Sequence, residues 1–109
     1  PVQPTAPMNV TYSEPNVYPT RLVNAVYDYC ETNDAISRVW LKSKLYGPAM
    51  VFFLVVEAEK QEHDILTKIH EAAVPHAKDL PVEVVFINDE LRKNVIKEAV
   101  AMYDRNISF

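Results

Sequence analysis

Ala35–Tyr46 reads AISRVWLKSKLY, Gly47-Pro48 follows, and Ala49–Val56 reads AMVFFLVV. Successive side chains of an extended chain point to opposite faces. In the first run that puts Val39, Leu41 and Leu45 on one side and Arg38, Trp40, Lys42 and Lys44 on the other. The second run has no polar side, so a strand there needs cover on both faces and belongs in the interior of a sheet. Two such runs joined by Gly-Pro read as an antiparallel hairpin.

Upstream of the hairpin, Met8–Glu14 (MNVTYSE) has the β-branched and aromatic residues of a short strand, stopped by Pro15. Pro19 suits the first turn of a helix, and Leu22, Val23, Val26, Tyr27 and Cys30 follow at helical spacing to an end near Asn33. Downstream, Glu62–Val74 carries Ile65, Leu66, Ile69, Ala72 and Ala73 as one stripe, with Glu62 and Asp64 in the first turn, and Pro75 ends it. Pro81–Ile87 (PVEVVFI) reads as a further strand, and Asn88 or Asp89 caps a last helix with Leu91, Val95, Ala99 and Met102 along one side. The order β-α-β-β-α-β-α predicts an α+β fold. With right-handed crossovers its first six elements match the ferredoxin-like split arrangement. That arrangement is a four-stranded antiparallel sheet with two helices on one face. The additional C-terminal helix is expected over the open face or the sheet edge.

Residues 8–109 are thus expected to form a single domain. Residues 1–7 hold Pro1, Pro4 and Pro7 and no charge, which favours an extended linker or tail over any helix or central strand. The same segment spells P-x-x-P, a motif some modules bind, but a linker is the simpler reading.

The chain has 109 residues, 49% of them hydrophobic and 24% charged, in keeping with a globular domain. Its longest uncharged apolar run, Ala49–Val56, is far short of the roughly 20 residues that span a bilayer. No basic-then-apolar leader opens the sequence. A cytoplasmic location with no membrane partner is the expectation. The net charge of −4 repels a phosphate backbone, so no nucleic-acid partner is expected. A lone cysteine, Cys30, supports neither an internal disulfide nor a thiolate zinc site, and its place on an apolar helix face makes it a core residue. A single glycine, Gly47, stands where average usage would give roughly seven per hundred residues. Phosphate-cradling loops need glycine for close backbone approach, so the large nucleotide-binding classes are excluded.

Catalytic chemistry finds little support. His63 and His70 sit two helical turns apart, about 10.5 Å, too far to share one ion, and nothing completes a set with His76. Ser13, Ser37, Ser43 and Ser108 have no nucleophile context. Glu57 with Glu59, and Asp89 with Glu90, read as a strand exit and a helix cap. Pro1 could serve as the base of a small tautomerase, but Pro4 and Pro7 prevent the strand such an enzyme starts with. No catalytic residue, metal or cofactor is assigned. The stripe Arg38, Trp40, Lys42 and Lys44 is the candidate interaction surface, since cations interleaved with the only tryptophan suit docking. The competing reading is an edge strand guarded by lysines, with Trp40 packed under the last helix.

Several stretches resemble one family. Pro15-Asn16-Val17-Tyr18-Pro19 with Leu22-Val23 is similar to the P-x-x-Y-P…L-V start of the C-terminal domain of SseB-like proteins, the enhanced serine sensitivity family. Phe53–Glu57 resembles its central strand, Ile69–Pro75 its I-x-x-A-A-x-P helix end, and Pro81-Val82 through Asn88–Leu91 its P-V-x-x-V-x-x-x-D-E-L stretch. The resemblance runs from about Met8 to Tyr103. Ala101-Met102-Tyr103 departs from the Pro-Phe-Tyr expected there. The resemblance implies a bacterial cytosolic accessory domain linked to serine tolerance and usually preceded by another domain. It supplies no catalytic residues. The functional expectation is therefore a non-catalytic protein-interaction or self-association domain, with a homodimer as one form. An amino-acid-sensing domain is the first alternative and a small tautomerase the second.

Overall fold

The hairpin forms where the alternation places it. In a computed structural model that describes residues 10–107, β2 (Ile36–Tyr46) and β3 (Ala49–Ala58) pair antiparallel, with Tyr46 opposite Ala49 and Trp40 opposite Val55. The turn is Gly47-Pro48. Gly47 has φ of 53°, a region open to glycine, while proline fixes a negative φ after it, the pattern of a type II′ hairpin turn. β1 (Val10–Ser13) pairs antiparallel with the last residues of β2, and β5 (Tyr103–Asp104) pairs with Arg38 and Val39 further along the same strand. The linker segment 1–7, and Pro1 with it, lies outside the described residues.

α1 (Thr20–Glu31) and α2 (His63–Ala73) pack side by side on one face of the sheet. Their stripes are the ones the periodicity marks: Leu22, Val26 and Cys30 from α1, Ile65 and Ile69 from α2. They meet Ile36, Val39, Leu54 and Val56 from the sheet to form the main core. Burying a side chain of that size is worth about 1.5–3 kcal/mol. A 3₁₀ turn at Val74–His76 follows α2, where Pro75 ends the helix, and leads towards β4 (Val82–Phe86).

The sheet differs from the expected one. Its order is β1-β2-β3-β4, and β4 lies parallel to β3 as its direct neighbour. The sheet is mixed rather than antiparallel. In a split arrangement another strand would stand between β3 and β4, and none does. The physical reason lies in β1. It is four residues long, with Val10 and Thr11 exposed, and has no second apolar face to fill an interior position. It takes the edge beside β2, which leaves the doubly apolar β3 to pair with β4 through the α2 crossover.

The last helix also differs. Asn88 caps it as expected, its side-chain oxygen accepting from the Leu91 N–H at 2.8 Å, but α3 spans only Asp89–Asn94. The chain then reverses through Glu98, at φ of 63°, and enters β5. Leu91, Val95 and Ala99 still face the sheet, packed on a second cluster of Trp40, Phe53, Val55 and Ile96. Met102 joins the main core instead, with its N–H donating to the Val39 carbonyl at 2.8 Å. Thus α3 and the segment after it cover the face opposite α1 and α2, which gives β3 its second layer. No helix among the described residues is long and apolar enough to cross a membrane.

Candidate interaction surfaces

Alternation along β2 puts Arg38, Trp40, Lys42 and Lys44 on one face, but the fold occupies each of them. Arg38 donates from Nε and Nη2 to the two carboxylate oxygens of Glu57 at 2.7 and 3.0 Å, and its guanidinium lies 5.0 Å from the Trp40 ring. Lys42 Nζ reaches Glu14 at 2.9 Å, and Lys44 Nζ reaches Glu83 at 2.9 Å. Lys44 also lies 4.9 Å from the Tyr46 ring and 5.0 Å from the Phe53 ring. Burial acts to lower the Lys44 pKa, but Tyr46 and Glu83 together outweigh it and hold the ammonium above its ordinary value. Trp40 is 4% exposed beneath Ile96 and its neighbours. The four side chains share one face, with Trp40 under the chain's own C-terminal segment and the lysines paired to Glu14 and Glu83.

Two other surfaces are left open. The first is the outer edge of β4. Residues of a parallel strand alternate between turning both backbone groups to the neighbour and turning both away. Pro81 accepts from the Phe52 N–H at 3.0 Å and Ile87 donates to Val56 at 2.9 Å, so the odd-numbered residues of β4 face β3. The backbone groups of Val82, Val84 and Phe86 point outward. Outside the ladder no backbone hydrogen bond among the described residues engages them. The side chains continue both apolar layers: Val82, Val84 and Phe86 join the main core, while Val85 and Ile87 join the Trp40 cluster.

The second is an open groove of about 820 Å³. The β1–α1 connection, the start of β3 and the turn after α2 meet there. Met50, Phe52 and Leu80 contribute its apolar floor. The connection bends at Asn16 and Val17 between Pro15 and Pro19, outside any helix or strand, and Val17 and Tyr18 project into solvent at the rim, 78% and 55% exposed. Burial and the charge of Glu14 raise the Tyr18 phenol above its ordinary value, keeping it a neutral donor. The basic side chains on the lining are Arg21, His76 and Lys78, and no carboxylate among the described residues lines the groove. Across the sheet from Phe52 stands Ser43, 2% exposed, whose hydroxyl has no hydrogen-bond partner among the described residues.

The model of the SseB protein C-terminal domain matches residues 4–105. The chain belongs to the SseB C-terminal domain family. No curated protein and no solved structure gives a match. Two of the stretches similar to SseB, Pro15–Pro19 and the Pro75 helix end, come together at the groove. A third, Pro81–Leu91, contains the free edge strand. Among the described residues of this SseB domain, no His, Cys, Asp and Glu side chains gather in a group that could hold a metal.

Sequence reasoning about sites missed both surfaces. The edge was invisible because PVEVVFI reads equally well as an interior strand. The groove left one signal, Val17-Tyr18 set between prolines where no helix or strand could bury them.

Proposed function

We propose that this SseB C-terminal domain is a non-catalytic interaction module that self-associates through β4. One observation carries the reading: an edge strand of five residues, Val82–Phe86, with apolar layers on both faces and outward backbone groups that no described residue pairs. Exposed edges are commonly blunted by lysine, proline, bulges or short length. β1 is short and followed by Pro15, and β5 has only two residues. β4 itself holds no lysine, proline or bulge; Pro81 precedes it, and its one charge, Glu83, is engaged by Lys44. A two-fold pairing of two copies, antiparallel and centred on Val84, would set Val82 opposite the second copy's Phe86. It would add about six backbone hydrogen bonds, two for each outward-facing pair. Glu83 would stand opposite Val85, so the two carboxylates stay apart, and both apolar layers would run across the junction. The module would act as an accessory in the bacterial cytoplasm, in keeping with the family's link to serine sensitivity.

Sedimentation equilibrium from micromolar to millimolar chain tests this, together with hydrogen exchange read at the same concentrations. Dimerisation should protect the amides of Val82, Val84 and Phe86 as concentration rises, while those of Glu83 and Val85 stay protected throughout. Val84→Pro removes an outward-facing N–H while leaving every β3–β4 ladder donor in place, and should abolish the dimer. Far-UV circular dichroism and Trp40 emission check that the variant folds. A monomer at every concentration, or a dimer whose protected amides lie elsewhere, would sink the edge assignment.

A further inference from the structure

The groove beside α1 asks for a different occupant from the β4 edge. Its floor of Met50, Phe52 and Leu80 is apolar, and its rim exposes Val17 and Tyr18. Its charged lining is of one sign. Arg21 and Lys78 are exposed and have no ion-pair partner among the described residues, and His76 stands with them. Acidic residues outnumber basic ones in the whole chain, 15 to 11, so a rim with cations only runs against the composition. An uncharged or basic partner would leave those cations without a use. A partner with carboxylates beside apolar side chains satisfies floor and rim together.

The rim also discriminates by size. A volume of about 820 Å³ would admit a small carboxylate. Such a ligand on the floor would leave Val17 and Tyr18 at the rim in water. A length of polypeptide lying along the groove covers them. We infer that the groove is a docking site for an extended segment of another protein, acidic and apolar in alternation, held by Arg21 and Lys78 at its rim and by Phe52 and Tyr18 along its body. This site is separate from β4, so a self-associating domain would display one groove on each copy.

The test uses the full chain and two fluorescein-labelled peptides, one alternating Asp with Leu and Phe, the other carrying Lys in place of Asp. Backbone amide shifts locate binding, and fluorescence anisotropy gives affinity. The acidic peptide should bind at least tenfold more tightly than the basic one, with shifts centred on Val17, Tyr18, Ala77 and Leu80. Raising salt should weaken it, because rim charges are screened. The Arg21→Glu, Lys78→Glu double variant alters two exposed side chains and should lose at least tenfold in affinity. Tyr18→Ser gives a second variant that tests the apolar contact without altering charge. Equal binding of both peptides, shifts elsewhere, or no shifts would overturn the proposal. So would L-serine or hexanoate saturating the same shifts, since the groove would then be a small-molecule site. None of these outcomes bears on the β4 edge, whose test is oligomeric state.

Discussion

Cys30 shows how far a single residue's surroundings settle its chemistry. The side chain is fully buried, and burial alone pushes the thiol up to about 12. The thiolate is the reactive form, so folded Cys30 should not react with Ellman's reagent at neutral pH and should react fully in guanidinium. Fast reaction under native conditions would mean that α1 opens readily from the sheet. Ser43 poses the opposite case, a buried hydroxyl with no partner among the described residues. Leaving a buried polar group unpaired costs about 1–3 kcal/mol, so its removal should be cheap or favourable. Ser43→Ala is expected to hold or raise the denaturation midpoint. Leu54→Ala, which empties a fully buried position, should lose about 2–5 kcal/mol. A large loss for Ser43→Ala would reveal a hydrogen bond to that hydroxyl.

At the scale of elements, the legible parts were those with a period. Alternation in Ala35–Tyr46 and the apolar run after it located the hairpin, and the stripes from Leu22 and Ile65 located the helices with their buried faces. Order within the sheet has no such signal. Pairing depends on which strand can tolerate an edge, and the shortness of β1 had to be weighed against its neighbours to see that. The C-terminal helix was over-read for a related reason. Leu91, Val95 and Ala99 are spaced like a helix stripe and do face the sheet, but the backbone reaches that result through a short helix and a reversal at Glu98. Alternation also told which face Trp40 occupies, and of the two readings of that face the one that packs Trp40 under the C-terminal segment is the one the fold takes. The groove gathers residues from three separate segments, and no local pattern can announce that. Glu98 itself yields a prediction. A side chain in left-handed backbone is strained by roughly 1–2 kcal/mol, part of which glycine gives back as extra freedom in the unfolded chain. Glu98→Gly should stabilise the protein by about 0.5–1 kcal/mol in chemical denaturation. A destabilised variant would show that the Glu98 side chain makes a contact worth more than the strain.

For the molecule as a whole, the carboxylate of Glu57 ties the sheet to the C-terminal layer that covers one of its faces. It accepts from Arg38 in β2 at 2.7 Å and from Arg92 in α3 at 3.3 Å, directly beside the Trp40 cluster that α3 covers. The Arg38 hydrogen bond, despite opposing burial, holds Glu57 below its ordinary value of 4.5. A carboxylate depressed in the folded state stabilises it above the unfolded pKa, and loses that contribution as pH falls through the folded one. Glu57→Gln should therefore cost most at pH 7, and the gap between wild type and variant should close in acid. With Arg38 38% and Arg92 51% exposed, solvent screening limits the gap to about 1 kcal/mol. Trp40 is the sole tryptophan, so its emission reports whether the C-terminal layer stays shut. As wild type is acidified, that emission should shift to the red before far-UV circular dichroism changes, because the α1–α2 core has no part in the Glu57 cluster. Glu57→Gln should show the early red shift already at neutral pH under mild denaturant. If emission and dichroism instead change together in both proteins, the two layers unfold as one unit, and the clamp at Glu57 adds stability without dividing the molecule. A gap between the two proteins that stays constant from pH 7 into acid would assign the effect to the shape of the side chain rather than to its charge.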